Sequence, residues 1–550
     1  MIDLNPDLLF SEEYSDFLND TPINGSTING TYNPMQFVLR LSKDIHLTLK
    51  YIKPGIRYSS ELTSNQVQAF SSFMHENIHW WQHVGSNFGF ISSLMFPVQT
   101  HINHSDLKKL IENKQAFKSI LKYSEILFRE TGRRDNPHIN KILNNWFDIY
   151  FAGKIAFDPK SIHKIVENEY FLSVGHSYHI LWATAIHTLA STIDSDFSFL
   201  PKIKNWDENF KLLENNKVMG FYSGSDIGVP PFGTKAIFEG QARFNQIQYL
   251  YFALEKKFDF EDFSKTGMLK DIYVEAFNFF LRVIGEQMPR SPDNHLVGLF
   301  LLVCDLAINP PEGFPLDLYY FDSFIISNDP GYRFGILCNI IKDKVPKIKD
   351  SIKDYSKEEY EKIGDLLSRE MSCLPPRFGT HQICNWINEK NSIKSLLDEE
   401  SIFKFSNENL SIRLFFSKFL RFQEDKDKFP QLFCWPGVCF TNQKNTGLSL
   451  DLVEKIFNKH RALFIDDIDG DIYPMIFEGV EEKNILETFN QFFTWNTAYD
   501  KVRSWIIEEG DFSYDYEWLT TKYSNADTKK WVCDTFKNVF NIHPDEIKVL

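Results

Sequence analysis

The sequence has little of what marks a secreted, membrane-bound or nucleic-acid-binding protein. Its seven cysteines are odd in number and scattered, so they do not form a disulfide framework. It has no long run of lysine and arginine, and its net charge is −15, so electrostatic capture of nucleic acid or anionic lipid is not expected. The amino terminus lacks a basic start and an apolar signal core. The longest apolar run, from Leu296 to Ile308, contains Asp305 and is too short to span a bilayer. A cytoplasmic location is therefore expected.

Other familiar sites are also missing from the sequence. There is no phosphate-cradling glycine-lysine loop, internal repeat or low-complexity tract. The acidic stretch 466–471 resembles a calcium loop only superficially. Aligning Gly470 with the loop's invariant glycine puts Ile465 and Ile476 where acidic ligands are required. The cysteines lack the paired spacing of structural zinc, so we expect buried thiols.

What is present is the composition of a soluble globular protein, with 43% apolar and 24% charged residues. At 550 residues the chain is long enough for several domains. We predict an α+β fold that is predominantly helical. The predicted division is an N-terminal extension (1–35), a main domain with a small N-terminal sheet (36–310), a helical connection (311–400) and a C-terminal α+β domain of unknown role (401–550).

One motif stands out, the pattern His-Glu-x-x-His formed by His75, Glu76 and His79. With 15 histidines in the chain, roughly 0.03 such matches are expected by chance. In a helix the two histidines lie one turn apart on one face, so both imidazoles can reach one metal ion with Glu76 beside them as a base.

The surrounding residues predict that helix. Thr63 and Gln66 have the spacing of a capping box, and Gly85 is expected to end the helix in a left-handed conformation. Apolar residues recur at helical spacings over much of its surface, which predicts burial. Two imidazoles and a carboxylate in a buried helix need partners, because each stranded polar group costs about 1–3 kcal/mol.

Alternation over residues 37–49 predicts a hairpin directly before the motif helix. The sequence pattern predicts one helix in each of the ranges 105–132, 234–256, 261–287 and 347–370. Residues 461–478 read as a second hairpin, around Asp469 and Gly470.

A hydrolytic zinc site takes three protein ligands, so a third ligand must be found. His83 lies eight residues from His75, roughly 12 Å along a helix, which is too far. Glu239 is our choice, because its apolar flanks predict a partly buried carboxylate, which is costly without a cation. The alternative is a surface ion pair between Glu239 and Arg243. Other candidate third ligands are Glu167, Glu169, Asp194 and Glu275.

The motif together with a downstream helical glutamate resembles the gluzincin group of zincin metallopeptidases. The resemblance covers about residues 36–310. It implies that His75, His79 and Glu239 hold Zn²⁺ and that Glu76 activates a water molecule. The chain departs from many members at Arg243, where they have an acidic residue that orients a zinc-bound histidine.

The resemblance implies a zinc-dependent peptidase that acts on a peptide or protein substrate, with any regulatory protein partner unidentified. The oxyanion formed during hydrolysis needs hydrogen-bond donors. Tyr222 is one candidate, and His176 is another, with His179 and His187 as alternatives on the same helical face. Two other readings stay open: a non-catalytic binding or regulatory protein with a zincin-like metal site, and a metal-dependent hydrolase of a non-peptide amide.

Overall fold

Helices dominate the architecture, and a small sheet accompanies them, as predicted from the sequence. The computed structural model describes residues 3–9, 30–50, 62–216, 219–220, 228–441 and 443–550. No helix among these residues combines the length and the apolar character needed to cross a membrane.

The first half of the chain contains the following elements: α1 Pro6–Leu9, β1 Gly30–Asn33, β2 Val38–Leu41, α2 Lys43–Leu49, α3 Ser64–Gly85, α4 Asn87–Ser93, α5 Met95–Glu112, β3 Phe117–Lys118, α6 Ile120–Thr131, α7 Pro137–Phe157, α8 Ile162–Ile165, α9 Val174–Ile193, α10 Trp206–Asn215, α11 Thr234–Ala253, α12 Phe260–Lys265 and α13 Ile272–Ile284. The second half contains α14 His295–Ile308, α15 Phe324–Asn328, α16 Pro330–Asp343, α17 Lys357–Glu370, α18 Pro376–Glu389, α19 Asn391–Ile402, α20 Leu410–Lys428, α21 Pro430–Cys434, α22 Pro436–Cys439, α23 Leu450–Lys459, β4 Phe464–Asp466, β5 Ile472–Pro474, α24 Glu482–Ile507, α25 Asn525–Phe540 and β6 Lys548–Val549.

The main sheet has the strand order β1-β2-β4-β5. Strand β1 pairs antiparallel with β2, with Gly30 opposite Leu41, and β4 pairs antiparallel with β5. Strands β2 and β4 are parallel, so this sheet joins distant parts of the chain. Strand β1 lies at one edge of the sheet and packs beside α3, which is the placement that matters for the site.

The predicted hairpin over 37–49 is wrong in its second half. Residues 43–49 form helix α2, and Ser42 caps it by accepting a hydrogen bond from the backbone N–H of Ile45. The apolar alternation in this part of the sequence does not correspond to one buried face, because Leu47 is exposed. The partner of β2 comes instead from the preceding strand β1. The hairpin predicted over 461–478 is confirmed as β4 and β5, with Gly470 at a φ of 82° in the turn.

The single helix predicted over 105–132 is also wrong. Helix α5 begins earlier, at Met95, and ends at Glu112, after which Lys114 adopts a φ of 57°. Ser119 then starts α6 by accepting a hydrogen bond from the backbone N–H of Lys122. Similarly, residues 261–287 divide into α12 and α13, and in 347–370 the helix α17 starts only at Lys357.

Buried apolar residues form one large cluster that extends from Leu8 to Val532 and a smaller one among α5, α6, α7, α24 and α25. The large cluster continues across residues 311 and 400. The domain division at 35, 310 and 400 stays a prediction.

Candidate metal centre

Helix α3 carries the motif, and its start follows the predicted capping box. The side chain of Thr63 accepts from the backbone N–H of Gln66, and the Gln66 side chain accepts from the backbone N–H of Thr63. From Val67 onward nearly every residue of α3 is buried, as the apolar spacing predicted. The left-handed ending predicted at Gly85 is wrong, since Gly85 is the last helical residue and Ser86 after it is extended. Gly85 is instead needed for packing, because a Cβ there would lie 2.9 Å from the ring of Phe422.

Helix α11 packs against α3 and carries Glu239 in its second turn. The Nε2 of Gln82 on α3 donates to the backbone carbonyl of Phe238, at 2.9 Å. This bond fixes the two helices against each other one residue before Glu239. Gly240 faces α13 and α14 rather than α3, since a Cβ there would approach Phe300 and Ala276.

Three ligand atoms converge where the two helices meet. The Nε2 atoms of His75 and His79 are 3.1 Å apart, and the Oε2 of Glu239 lies 3.5 Å from the first and 3.4 Å from the second. All three atoms lie within 4.8 Å of one another. Among the described residues, no other group of three histidine, cysteine or acidic side chains is arranged in this way.

Gln82 also determines which nitrogen of His79 faces the centre. Because its Nε2 donates to the carbonyl of Phe238, its Oε1 is the atom that faces the Nδ1 of His79, at 2.8 Å. An oxygen accepts there, so Nδ1 carries the proton and Nε2 presents a lone pair to the centre. Orienting contacts of this kind are typical of metal-bound histidines.

The charge balance of the three groups fits a cation. Burial opposes ionisation, but the nearby histidines hold the pKa of Glu239 well below its usual range. Burial likewise opposes protonation of His79, yet the carboxylate of Glu239 raises its pKa to about 9. Burial, with the nearby Arg243 guanidinium, lowers the pKa of His75 to about 3. Positive charge is thus favoured between Glu239 and His79, and two imidazole nitrogens with one carboxylate oxygen are ligands that suit Zn²⁺.

Glu76 lies beside this group and is 5% exposed. Its Oε2 is buried without a hydrogen-bond partner. Burial raises the pKa of Glu76 to about 8. Strand β1 approaches this side chain so closely that a Cβ at Gly30 would lie 2.6 Å from its Oε1. A carboxylate held this way, with an affinity for protons near neutral pH, has the properties of a general base.

A cavity of about 60 Å³ opens onto the ligand atoms and Glu76. Its lining comes from β1 and the residue that follows it, and from α3, α7, α11 and α13. The lining residues are Gly30, Thr31, Tyr32, Pro34, His75, Glu76, His79, His83, Phe157, Lys235, Phe238, Glu239 and Tyr273. Tyr32 is notable in this set because its hydroxyl is buried without a hydrogen-bond partner. The side chain is 4% exposed, and burial raises the pKa of the phenol well above its usual value, so it remains a protonated donor.

The predicted residues divide into two groups. His75, Glu76, His79 and Glu239 come together as described. Arg243 does not pair with Glu239 but donates to the carbonyl of Leu9, at 2.9 Å, and lies over the ring of Tyr273. Glu169 binds Arg134, Asp194 accepts backbone N–H groups of 198–200, and Glu275 contacts Lys160.

The oxyanion donors predicted on α9 do not line the cavity. Helix α9 contributes no residue to the lining, and the Nε2 of His176 instead faces Asp148, at 3.2 Å. His179 stacks on Phe210, and His187 on Phe197. The structure thus places His176 beside Asp148, and its role as an oxyanion donor stays a prediction. Tyr222 lies outside the described residues.

Sequence reasoning missed Tyr32 and the bond by which Gln82 orients His79. Helical spacing places Gln82 on the face of His75 and His79 and so predicts its position near the metal ligands, but not which backbone group it bonds. Nothing in the local sequence around Tyr32 indicates its contact with α3. No protein-family model, curated protein or solved structure matches this chain.

Proposed function

We propose that this protein is a zinc-dependent peptidase of gluzincin-like design. His75, His79 and Glu239 hold the metal, and Glu76 is the general base. The observation that carries the proposal is the convergence of three ligand atoms within 4.8 Å beside a buried carboxylate that has an unpartnered oxygen. A purely structural zinc site takes four protein ligands and needs no base, so this arrangement favours catalysis.

Held by His75, His79 and Glu239, a Zn²⁺ ion would lower the pKa of a bound water molecule towards 7 and polarise the scissile carbonyl. Glu76 accepts the proton of the attacking water and later donates it to the leaving amine, as a base and then an acid. The raised pKa of Glu76, about 8 without a metal, supports its role as an acid in particular. Gly30 supports its role as a base, because the absence of a side chain at Gly30 leaves room for the Oε1 of Glu76.

Tyr32 is the proposed donor to the oxyanion of the tetrahedral intermediate. Its hydroxyl is buried in the cavity wall without a partner, and an unmade hydrogen bond of this kind costs about 1–3 kcal/mol. The cost is recovered when a substrate oxygen accepts from it. A preorganised donor of this sort typically contributes 10²–10³-fold to the rate.

A second candidate function is hydrolysis of a small non-peptide amide by the same residues. The cavity volume of about 60 Å³ favours it, since so small a space beside the ligand atoms suits a compact substrate. The chemistry of the two candidates is shared, and the substrate distinguishes them.

The test combines metal analysis with digestion of a peptide library by the wild type and Glu76→Gln. Glu312→Gln is the matched control, because Glu312 is also a buried glutamate whose pKa is raised by burial, but it does not line the cavity. We expect stoichiometric zinc in all three proteins and cleavage by the wild type and the control alone. The expected loss in Glu76→Gln is on the order of 10²–10⁴-fold.

Two other outcomes have clear meanings. Zinc with no cleavage of peptides, but with hydrolysis of small amides that depends on Glu76, selects the second candidate. Zinc with no hydrolysis of either substrate class overturns both and leaves a metal-containing binding protein.

A further inference from the structure

A second cavity, larger than the one at the metal centre, lies at the C-terminal end of α3. Its volume is about 220 Å³, and its walls come from α14, α17, α18, α20, α21 and Asn87 of α4. A space of this volume suits a compact small molecule. Gly85, where α3 ends, lies six residues after His79, or about 9 Å along the helix axis.

The floor of this cavity contains two oppositely charged side chains that bond to neutral groups rather than to each other. The Nζ of Lys426 donates to the carbonyl of Gly85, at 2.7 Å. The carboxylate of Asp305, which is 5% exposed, accepts from the hydroxyl of Tyr360, at 2.7 Å, and from the amide of Asn309, at 3.1 Å. An ammonium has three donors and a carboxylate about four acceptor sites, so both groups can bind further partners.

Asn87 supplies an independent sign that a ligand is accommodated. It is 4% exposed and lines the same cavity, and its Oδ1 is buried with no hydrogen-bond partner. Its Nδ2 donates to the carbonyl of Pro310, at 2.9 Å, which fixes the direction of Oδ1. A buried acceptor without a hydrogen-bond partner lowers the stability of the folded protein unless a donor group binds to it.

The outer part of the cavity also carries both signs of charge. Arg377 and Lys357 line it together with Glu361 and Asp427. The Nε and Nη2 of Arg377 are held by Asp365, at 2.8 and 2.7 Å, which leaves Nη1 for another acceptor. A ligand with only positive or only negative charge would lie near side chains of its own charge here, whereas a ligand with both charges can pair with both kinds of side chain.

We propose that this cavity binds a small zwitterion, such as a free α-amino acid. The ligand's carboxylate is recognised by Lys426 and Arg377, and its ammonium by Asp305 and the Oδ1 of Asn87. The inference does not depend on the metal centre, which shares no lining residue with this cavity.

The test is isothermal titration calorimetry of the full-length protein with glycine, L-alanine, L-serine, L-leucine and L-glutamate. Each amino acid is compared with its N-acetyl and its amide derivative, which remove one charge at a time. We expect saturable binding of at least one amino acid. Affinity should fall at least tenfold, or about 1.4 kcal/mol, when either charge is blocked.

Three variants locate the site. Lys426→Met and Arg377→Gln should each weaken binding at least tenfold. Arg377 is half exposed, so its replacement keeps the protein folded even if the Lys426 variant does not. Lys362→Gln is the control, because Lys362 is an exposed residue of α17 that does not line the cavity, and it should bind as the wild type does.

Several results would overturn the proposal. These are the absence of binding by all five amino acids, equal binding of the N-acetyl derivatives, which would indicate a simple anion site, and unchanged binding by both Lys426→Met and Arg377→Gln. Glu239→Ala separates this proposal from the peptidase proposal. It should abolish metal binding and leave amino-acid binding unchanged, so either proposal can fail alone.

Discussion

Replacing Gln82 by leucine should weaken metal binding although Gln82 is not a ligand. The side chain accepts from the Nδ1 of His79 and donates to the carbonyl of Phe238 and to the Oε1 of Gln241. Leucine keeps similar bulk but makes none of these bonds. His79 is then free to rotate or to change tautomer, and Phe238, next to Glu239, loses its link to α3.

The magnitude follows from two separate effects. Loss of the group that orients a metal-bound histidine typically costs 10–100-fold in metal affinity, or about 1.4–2.7 kcal/mol. Loss of the bonds to Phe238 and Gln241 leaves buried acceptors unpaired, which costs on the order of 1–3 kcal/mol of stability in the metal-free protein.

The two effects can be measured apart. Zinc affinity is obtained by competition with a chromogenic chelator, and stability by urea denaturation of the metal-free protein. Gln248→Leu is the matched control. Gln248 is a buried glutamine that donates to the carbonyl of Pro292 and the hydroxyl of Tyr355, away from the metal ligands. It should lose comparable stability and keep its zinc affinity. Equal zinc affinity in Gln82→Leu and the wild type would refute the orienting role.

Three further predictions follow from the same structure. Tyr32→Phe should lower kcat about 10²–10³-fold while zinc content is unchanged, in a steady-state assay on whichever substrate the wild type cleaves; an unchanged kcat would exclude it as the oxyanion donor. Zinc at 100 times its Kd should stabilise the wild type by about 2.7 kcal/mol in denaturant titration, and Glu239→Ala should show little of this gain. Burial opposes ionisation of Glu400, but Lys418 and Arg421 lower its pKa to about 2. Its stabilising effect, on the order of 3 kcal/mol, is therefore present above pH 4.5 and lost as the pH falls towards 2, and Glu400→Gln should flatten that part of the wild type's pH–stability curve.

The sequence predicted the parts of the site that depend on local geometry. The spacing of His75 and His79 places both on one helical face wherever the helix lies, and the Thr63 capping box defines the start of that helix. Glu239 is more than 150 residues away, and it could be predicted because a carboxylate among apolar neighbours needs a cation. The fold class followed from the many helical spacings for the same local reason.

The remaining features depend on contacts between distant segments. The placement of β1 beside Glu76 comes from pairing with β2 and packing on α3, and neither is encoded near Tyr32. The three histidines of α9 share one helical face, but their spacing does not predict which neighbouring segment that face contacts. Helix α2 is different, because Ser42 followed by Asp44 is a local helix-start signal. The alternation of apolar residues after it led to the prediction of a strand instead.

Binding of one metal ion by His75, His79 and Glu239 can be seen by anomalous diffraction at the zinc edge from crystals of the zinc-loaded protein. We predict a single strong peak about 2.0–2.1 Å from the Nε2 of both histidines and about 2.0–2.2 Å from a carboxylate oxygen of Glu239. A peak bound by other residues, or no peak between these three side chains, would contradict it.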